Sequence, residues 1–214
     1  MLKGIDVSRH NRFMKDLRAI NHYDFIIIKA TEGRSYRDQT LPLWVDALND
    51  KTLKGFYHFC RADLNNRPEE EADNFLSYIE KYLPEAPLLV IDVEGDNLRL
   101  ADLDRWVARW CEYVKEKVGY MPLIYTSEAY TSLFKKVASL DVGLWCAKWS
   151  KNKPKKIAPW KFWAIWQYTS NGICSAVRVD ESYFNGTREQ FLKYCGVMGD
   201  EAAENSRTTN DTTD

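Results

Sequence analysis

Two carboxylates, Asp92 and Glu94, follow the most apolar run in the chain, the segment Pro-Leu-Leu-Val-Ile that ends at Ile91. A carboxylate so close to apolar residues lowers stability unless it is paired or serves a site. Residues two apart on a strand point to the same face, with Cα atoms about 6.6 Å apart, so both can reach one bound molecule. Mutual repulsion and partial burial raise the pKa of one carboxyl group, as a general acid working near neutral pH requires. The pair therefore predicts a site for general acid catalysis.

The other candidate residues stand where further apolar runs give way to polar or aromatic side chains. In a closed barrel of parallel strands the active site lies at the C-terminal ends of the strands, so such residues converge. Any one acid alone could be a solvated strand end or a helix N-cap, but carboxylates end at least four of the runs. His58 is the weakest candidate, because a lone histidine is more often a hydrogen-bonded structural residue. The candidates at these run ends are Asp6, Glu32, Tyr57, His58, Tyr125, Trp149, Trp166, Gln167 and Asp180.

Aromatic residues crowd the last third of the chain and could supply a carbohydrate site. Apolar ring faces can stack on the C–H faces of sugars, whereas the alternative for each ring is packing in the core. The residues concerned are Trp145, Trp149, Trp160, Trp163, Trp166 and Tyr168. Three tryptophans on predicted helices, Trp44, Trp106 and Trp110, are assigned to the core.

Short apolar runs that alternate with amphipathic stretches must position these residues, and this pattern is typical of parallel βα units. Eight such runs are present, and eight strands close a barrel. The predicted fold class is therefore α/β, a TIM-like barrel. The predicted strands are 2–7, 25–30, 55–59, 88–93, 123–125, 144–149, 162–168 and 177–179.

Two helices are clearly indicated between the runs. Pro68 and the acids after it suit a helix start, and apolar residues then recur on one face. Asp102 suits an N-cap, and Gly119 stands where a C-terminal cap belongs. Weaker helical patterns cover 13–20, 43–49 and 129–137, and 187–194 could close the fold as a terminal helix.

The last three strands are predicted to lack covering helices. The gaps between them are short and hold Pro154, Pro159 and Gly172 rather than a helical period. About five βα units followed by three strands is the resulting architecture.

The chain of 214 residues is 45% hydrophobic, so it can bury the core of one domain, which we assign to residues 1–198. Residues 199–214 are polar and acidic, and we expect a disordered tail there. A net charge of −1 does not indicate a nucleic-acid-binding surface. The lysines of 151–156 are interpreted as part of a solvated loop. We expect a monomer.

Five cysteines are present, an odd number, without a CxxC motif or a Cys/His cluster at metal-ligand spacing. We expect reduced, mostly buried thiols, no metal and no cofactor. No apolar run approaches the roughly 18 residues that span a membrane, and no signal-peptide pattern is visible. The expected place of synthesis is therefore the cytoplasm, without a signal peptide.

A set of short motifs in fixed order carries a resemblance to a known family. The chain resembles the glycoside hydrolase family 25 muramidases, or Chalaropsis-type lysozymes, which are common as phage endolysins. Each motif alone is weakly specific, but the ordered set, from residue 2 to about 195, is highly specific. The motifs are GIDVSRHN, FIIIKATEG, GFYHF, LLVIDVEG, LIYTS, LWCAKWS, WAIWQYTS and VDESYFNG.

The resemblance implies a flattened barrel of five βα units and three strands. It implies retaining hydrolysis of the β-1,4 bond between N-acetylmuramic acid and N-acetylglucosamine in peptidoglycan. Glu94 would be the acid/base, and Asp92 would orient or stabilise the substrate's N-acetyl group, which acts as the nucleophile. Asp6 and Asp180 match flanking acids, and Tyr57 matches a tyrosine near the reacting sugar. Two departures are Glu181-Ser182 after Asp180, which puts only local loop contacts in doubt, and the absence of visible cell-wall-binding repeats.

Two alternative functions remain open from the sequence. A chitinase-like or N-acetylhexosaminidase activity would share substrate-assisted chemistry. A non-catalytic glycan-binding barrel would be expected to lack the acid pair, which is present. If the enzyme is made in the cytoplasm, it would reach the wall through a membrane-permeabilising partner such as a holin, or on lysis of the producer.

Overall fold

A computed structural model describes residues 1–197 of the chain. The predicted tail, 199–214, and the last residue of the predicted domain lie outside the described residues. Among residues 1–197, no helix is both long enough and apolar enough to cross a bilayer.

Eight strands form a closed barrel, in the order β1, β9, β8, β7, β6, β5, β4, β2, with β2 pairing back onto β1. The two-residue strand β3 extends the edge of β2. Every strand predicted from the sequence is present, with ends that differ by up to six residues. The bounds are β1 Leu2–Val7, β2 Phe25–Glu32, β3 Tyr36–Arg37, β4 Leu53–Phe59, β5 Leu88–Asp92, β6 Leu123–Ser127, β7 Leu144–Ala147, β8 Ile165–Cys174 and β9 Val177–Phe184.

Strand β9 runs antiparallel to both of its neighbours, β8 and β1, so the expectation that every strand of the barrel is parallel was wrong. The reason lies in the connection, because only Ser175 and Ala176 separate β8 from β9. Both residues have positive φ, 45° and 67°, as a two-residue hairpin requires. A parallel partner would need a crossover of a dozen or more residues.

Five α-helices lie within the described residues: α1 Leu41–Ala47, α2 Pro68–Ile79, α3 Leu103–Val118, α4 Lys135–Ser139 and α5 Arg188–Tyr194. Helix α3 ends where predicted, since Gly119 has φ +90° and its N–H donates to the carbonyl of Lys115. Residues 148–164, between β7 and β8, contain no helix, as the prolines indicated. Two weak helical patterns were wrong in type or extent: 13–20 forms a 3-10 helix at Leu17–His22, and 129–137 divides into a 3-10 helix and α4.

The core has two layers because strand side chains alternate between the inside and the outside of the barrel. On β2, Phe25 and Ile27 fill the interior, while Ile26 and Ile28 belong to the layer beneath the helices. Helix α5 closes the N-terminal end of the barrel, where the ring of Phe191 lies 5.4 Å from that of Phe25 and 5.2 Å from that of Phe184. The interior is therefore packed at this end, which leaves the opposite end for the site.

Candidate active site

A cleft of about 240 Å³ lies at the C-terminal end of the parallel strands, inside the barrel mouth. Eight residues named in the sequence analysis line it, together with three others. The lining residues are Asp6, His10, Lys29, Tyr57, Phe59, Asp92, Glu94, Tyr125, Trp145, Gln167 and Asp180. A larger groove of about 700 Å³ lies at the other end, against α5, but Asp141 is the one acid in its lining, so the carboxylate chemistry belongs to the cleft.

Strand β5 and the residues after it bring Asp92 and Glu94 to the cleft together. The N–H of Val93 donates to the carbonyl of Tyr125 at 3.0 Å, which extends the pairing with β6 beyond the last residue of β5. Glu94 is still extended, with φ −150° and ψ −175°, so its side chain points to the same side as that of Asp92. Gly95, at φ +66°, then turns the chain away.

Burial and mutual repulsion shape the charge of this pair. Burial raises the pKa of Asp92 well above its ordinary value, and the charge of Glu94 adds to the rise. Glu94 is exposed, but partial desolvation in the cleft still raises its pKa, with a further contribution from the charge of Asp180. Lys29 opposes both rises. The Oδ1 atom of Asp92 is buried and has no hydrogen-bond partner among the described residues, so its capacity to accept a hydrogen bond is unused.

The second pair of acids comes from the seam where β1 and β9 meet. Asp6 on β1 lies directly opposite Asp180 on β9. Burial and the charge of Asp180 raise the pKa of Asp6 well above its ordinary value, and burial raises the pKa of Asp180. Four carboxyl groups whose pKa values are all raised therefore share one cleft, and their protons are coupled.

Gln167 connects the acids to the aromatic residues at the rim. Its Nε2 donates to Oδ2 of Asp6 at 2.9 Å. Its Oε1 accepts from the hydroxyl of Tyr125 and from Nε1 of Trp149, each at 3.0 Å. Trp149 is 64% exposed, so its indole stands at the mouth of the cleft although it is not part of the lining.

Two predicted substrate-binding residues, His58 and Trp166, face away from the cleft, and these predictions were wrong. Alternation along each strand explains both, because Tyr57 and Gln167 take the inward positions next to them. His58 is fully buried, with its ring nitrogens 2.8 Å from the Thr31 hydroxyl and 2.8 Å from Oε2 of Glu71. The indole of Trp166 is buried in the outer layer and donates to the carbonyl of Lys148.

Glu32, also predicted to bind substrate, instead contacts the site through Lys29. Its carboxylate accepts from Lys29 Nζ at 2.8 Å and pairs with Arg61 at 3.1 Å. Although burial opposes it, these hydrogen bonds hold the pKa of Glu32 below its ordinary value. Glu32 thus fixes the position of a cation that lines the cleft.

Three lining residues were missed by sequence reasoning. Lys29 could have been found, because it has the same inward parity as Ile27 in an otherwise apolar run. Phe59, at the end of β4, likewise follows from the parity of Tyr57. His10 lies on the 3-10 helix Arg9–Asn11 after β1, where no period in the sequence points to the cleft.

Glu181, where the sequence departs from the family pattern, lies on β9 rather than in a loop, with its side chain outside the barrel. Its carboxylate accepts hydrogen bonds from Lys3 Nζ at 3.0 Å, from the Tyr23 hydroxyl at 2.9 Å and from the Tyr168 hydroxyl. The departure therefore ties β9 to β1 and β8 and leaves Asp180 facing the cleft.

The arrangement suits acid–base hydrolysis of a sugar polymer: protonatable carboxyl groups, a free carboxylate oxygen and an indole at the rim. All five cysteines, by contrast, are free and buried, as expected from the sequence. Among residues 1–197, no group of three or more His, Cys, Asp or Glu side chains could hold a metal ion.

Comparison with known proteins gives consistent similarities. Residues 5–177 match the family model described as glycosyl hydrolases family 25. Lysozyme M1 of Streptomyces globisporus is 26% identical over 209 residues, which cover 89% of this chain and 70% of that protein. The autolytic lysozyme of Clostridium acetobutylicum is 30% identical over 191 residues, 84% of this chain and 55% of that protein, so this chain spans just over half of its length. A family 25 glycosyl hydrolase from Bacillus anthracis has a similar structure, with a TM-score of 0.77, 26% identity, and coverage of 91% of this chain and 93% of that one.

Proposed function

This chain belongs to glycosyl hydrolase family 25, and we propose that it cleaves the β-1,4 bond between N-acetylmuramic acid and N-acetylglucosamine in peptidoglycan, with retention of configuration. Family membership and the similarity to lysozymes make it a glycosidase of the muramidase type. The observation that carries the proposal at the site is the pair Asp92 and Glu94, which share one cleft in different electrostatic surroundings.

Glu94 is the acid/base of the proposed mechanism. It donates a proton to the leaving oxygen as the glycosidic bond breaks, and its raised pKa favours the protonated form that this step needs. After the leaving sugar departs, the Glu94 carboxylate takes a proton from the incoming water. The same residue thus serves both steps.

Asp92 orients and stabilises the substrate's N-acetyl group, which is the nucleophile. Its buried Oδ1 has no protein partner among the described residues, so it can accept a hydrogen bond from the acetamido N–H. The acetamido oxygen then attacks C1 from the face opposite the leaving group. Water opens the cyclic intermediate from the other face, so the two inversions give net retention.

Asp6 and Asp180 flank the pair, and their negative charges act on the pKa values of Asp92 and Glu94. Gln167 fixes Asp6 by a hydrogen bond, and Asp180 raises the pKa of Glu94. Tyr57 lines the cleft near the reacting sugar, and Tyr125 lies beside Trp145, with ring centroids 4.8 Å apart. These residues and Trp149 form the proposed surface for the sugar rings.

Digestion of purified peptidoglycan, followed by mass spectrometry of the released reducing ends, tests this function. Muramic acid at the new reducing end supports it, and glucosamine at that end contradicts it. A parallel digest of chitin separates the muramidase from the chitinase-like alternative, and the absence of any release from either would leave a glycan-binding barrel.

We propose further that the enzyme acts as a monomer and reaches peptidoglycan with the help of a membrane-permeabilising partner such as a holin. The reason is that peptidoglycan lies beyond the membrane of the cell that makes the protein. Expression in a bacterial cytoplasm with and without a holin tests this, and lysis without the holin contradicts it. Light scattering gives the oligomeric state.

A further inference from the structure

A basic loop, residues 150–156, follows β7 at the end of the barrel that holds the cleft. It carries four lysines, Lys151, Lys153, Lys155 and Lys156, and all four are exposed. Among the described residues none of the four forms an ion pair, whereas Lys148, just before the loop, pairs with Glu128 at 2.9 Å. Four positive charges therefore face solvent together.

The backbone of the basic loop is held in place although its side chains are exposed. Oε1 of Glu128 accepts hydrogen bonds from the backbone N–H of Lys155 at 2.7 Å and of Lys156 at 3.0 Å. The hydroxyl of Thr131 donates to the carbonyl of Lys156 at 3.2 Å, and Pro154 is buried. The lysines are thus displayed on a fixed support rather than on an unsupported segment.

The basic loop begins beside the mouth of the cleft. Ser150, its first residue, donates its N–H to the carbonyl of Tyr168 on β8, the residue after Gln167. Trp149, immediately before the loop, donates to the side chain of Gln167. The basic loop therefore starts at the rim of the cleft.

The basic loop supplies positive charge that the lining of the cleft lacks. Four carboxyl groups and one lysine line the cleft, and that lysine, Lys29, is already paired with Glu32, so the cleft supplies little positive charge for an anionic polymer. A peptidoglycan strand is such a polymer, because the peptide stems on its muramic acid residues carry carboxylates. Lysines at the rim provide the complementary charge outside the reacting centre.

We propose that the basic loop binds the carboxylates of the peptide stems and so selects stem-bearing glycan over bare glycan. This inference rests on the proposed function, since it takes peptidoglycan as the polymer. The stems are the chosen ligand because they belong to the same strand that occupies the cleft, within reach of a loop that starts beside Trp149.

The experiment replaces all four lysines by glutamine. Its matched control replaces Lys51, Lys115, Lys117 and Lys193, which are exposed, remove the same charge and lie toward the opposite end of the barrel. Both variants are compared with the unaltered protein by fluorescence anisotropy on labelled, soluble glycan strands that carry stems and are free of phosphate polymers. The same strands are tested after an amidase has removed the stems, which leaves only the lactyl carboxylate on each muramic acid. Thermal unfolding verifies that both variants fold.

The loop variant is expected to lose about tenfold in its preference for stem-bearing over stem-free material at low salt, as four weak charge contacts together would give. The difference should vanish in concentrated salt, and the control should keep the full preference. Equal losses in both variants would show an effect of net charge and overturn the proposal. An unchanged preference, an equal loss on stem-free glycan, or a loss seen only on walls that retain phosphate polymers would overturn it as well.

Binding is scored separately from hydrolysis, so the two proposals can fail independently. If the unaltered protein binds stem-bearing glycan through the loop but releases no muramic reducing ends, the proposed function fails and the loop assignment stands. If it releases those ends and the loop variant binds normally, the opposite holds.

Discussion

At the scale of single residues, the proposed mechanism assigns different tasks to two neighbouring carboxyl groups of the cleft. Asp92 is the more deeply buried of the two and has one oxygen without a protein partner among the described residues. Glu94 lies two residues further along the extended chain, closer to solvent. Replacing a general acid by its amide removes the proton donor, whereas replacing an electrostatic stabiliser by its amide removes a negative charge. The division of labour is therefore open to a direct kinetic test.

Glu94→Gln is expected to lower kcat on peptidoglycan by about 10² to 10⁴-fold, because it removes the proton donor. It should lose less on an activated aryl glycoside, whose leaving group needs little protonation, if the enzyme accepts one. Asp92→Asn keeps the acid but removes the charge beside the acetamido group, so both substrates should suffer. Steady-state kinetics on the two substrates provide the check, with Glu116→Gln on the surface as control.

The same pair of variants bears on retention. Because the acetamido group is the proposed nucleophile, no sugar should become attached to Asp92. Mass spectrometry of the protein after incubation with a fluorinated substrate analogue would reveal such an adduct. Either that adduct or an inverted product anomer in an NMR time course would rule out the substrate-assisted scheme.

Lys29→Met is expected to move the pH profile of kcat/KM to higher pH by about half a unit to one unit. Lys29 faces Glu32, Asp92 and Glu94, and its positive charge favours the ionised form of both cleft carboxylates. Without it their pKa values rise. Both limbs of the profile, which report the joint ionisation of the cleft carboxyl groups, should therefore shift upward.

A pH series of initial rates measures this shift. Lys54→Met removes a lysine whose partner, Glu85, lies away from the cleft, and its profile should match that of the unaltered enzyme. An unmoved profile for Lys29→Met, or a shift to lower pH, would contradict the role assigned to this charge.

Residue types at strand ends predicted most of the cleft, and strand parity explains the failures. Gln167 and Tyr57 point inward, so their neighbours Trp166 and His58 could not also do so. The sequence predicts that side chains alternate between the two faces of each strand. It does not show which face points into the barrel, because a strand that is apolar on both faces has no pattern to distinguish them. The position of His10 could not be predicted, because it depends on the path of the segment after β1, which tertiary contacts determine.

At the scale of elements, the barrel is closed at one end by a helix and open at the other for substrate. Thr187 caps α5, and its side chain accepts from the N–H of Gln190, so the helix begins where the sequence indicated. All eight barrel strands could be predicted because each is an apolar run bounded by polar residues. The direction of β9 could not be predicted from such runs, since it depends on a two-residue hairpin between them.

Phe191→Ala is expected to lower the free energy of unfolding by about 3–5 kcal/mol, because it leaves a cavity between Phe25 and Phe184. The cleft lies at the other end of the barrel, so kcat of the folded enzyme should remain close to that of the unaltered protein. Urea denaturation gives the stability and a peptidoglycan assay gives the rate. Glu189→Ala, on the exposed side of the same helix, is the control; an equally small effect from Phe191→Ala would show that α5 does not close the core.

At the scale of the whole molecule, the cleft, both layers of the core and the basic loop all lie within residues 1–197. Deletion of 199–214 is therefore expected to change the free energy of unfolding by less than about 0.5 kcal/mol and to leave activity nearly unchanged. Thermal unfolding and turbidity loss of a peptidoglycan suspension measure the two quantities. A large fall in either would assign the deleted segment a role in the domain.

The seam between β1 and β9 also determines when activity can appear. Asp6 and Asp180 become neighbours only when β1 pairs with β9, across more than 170 residues. At a synthesis rate of about 5–20 residues per second, β1 waits on the order of ten seconds or more on the ribosome for that partner. Contacts so distant in sequence also make folding slow. A chain that has not yet been synthesised as far as β9 therefore lacks Asp180 and has no complete set of cleft acids. Activity can appear only after β9 has been made and has paired with β1.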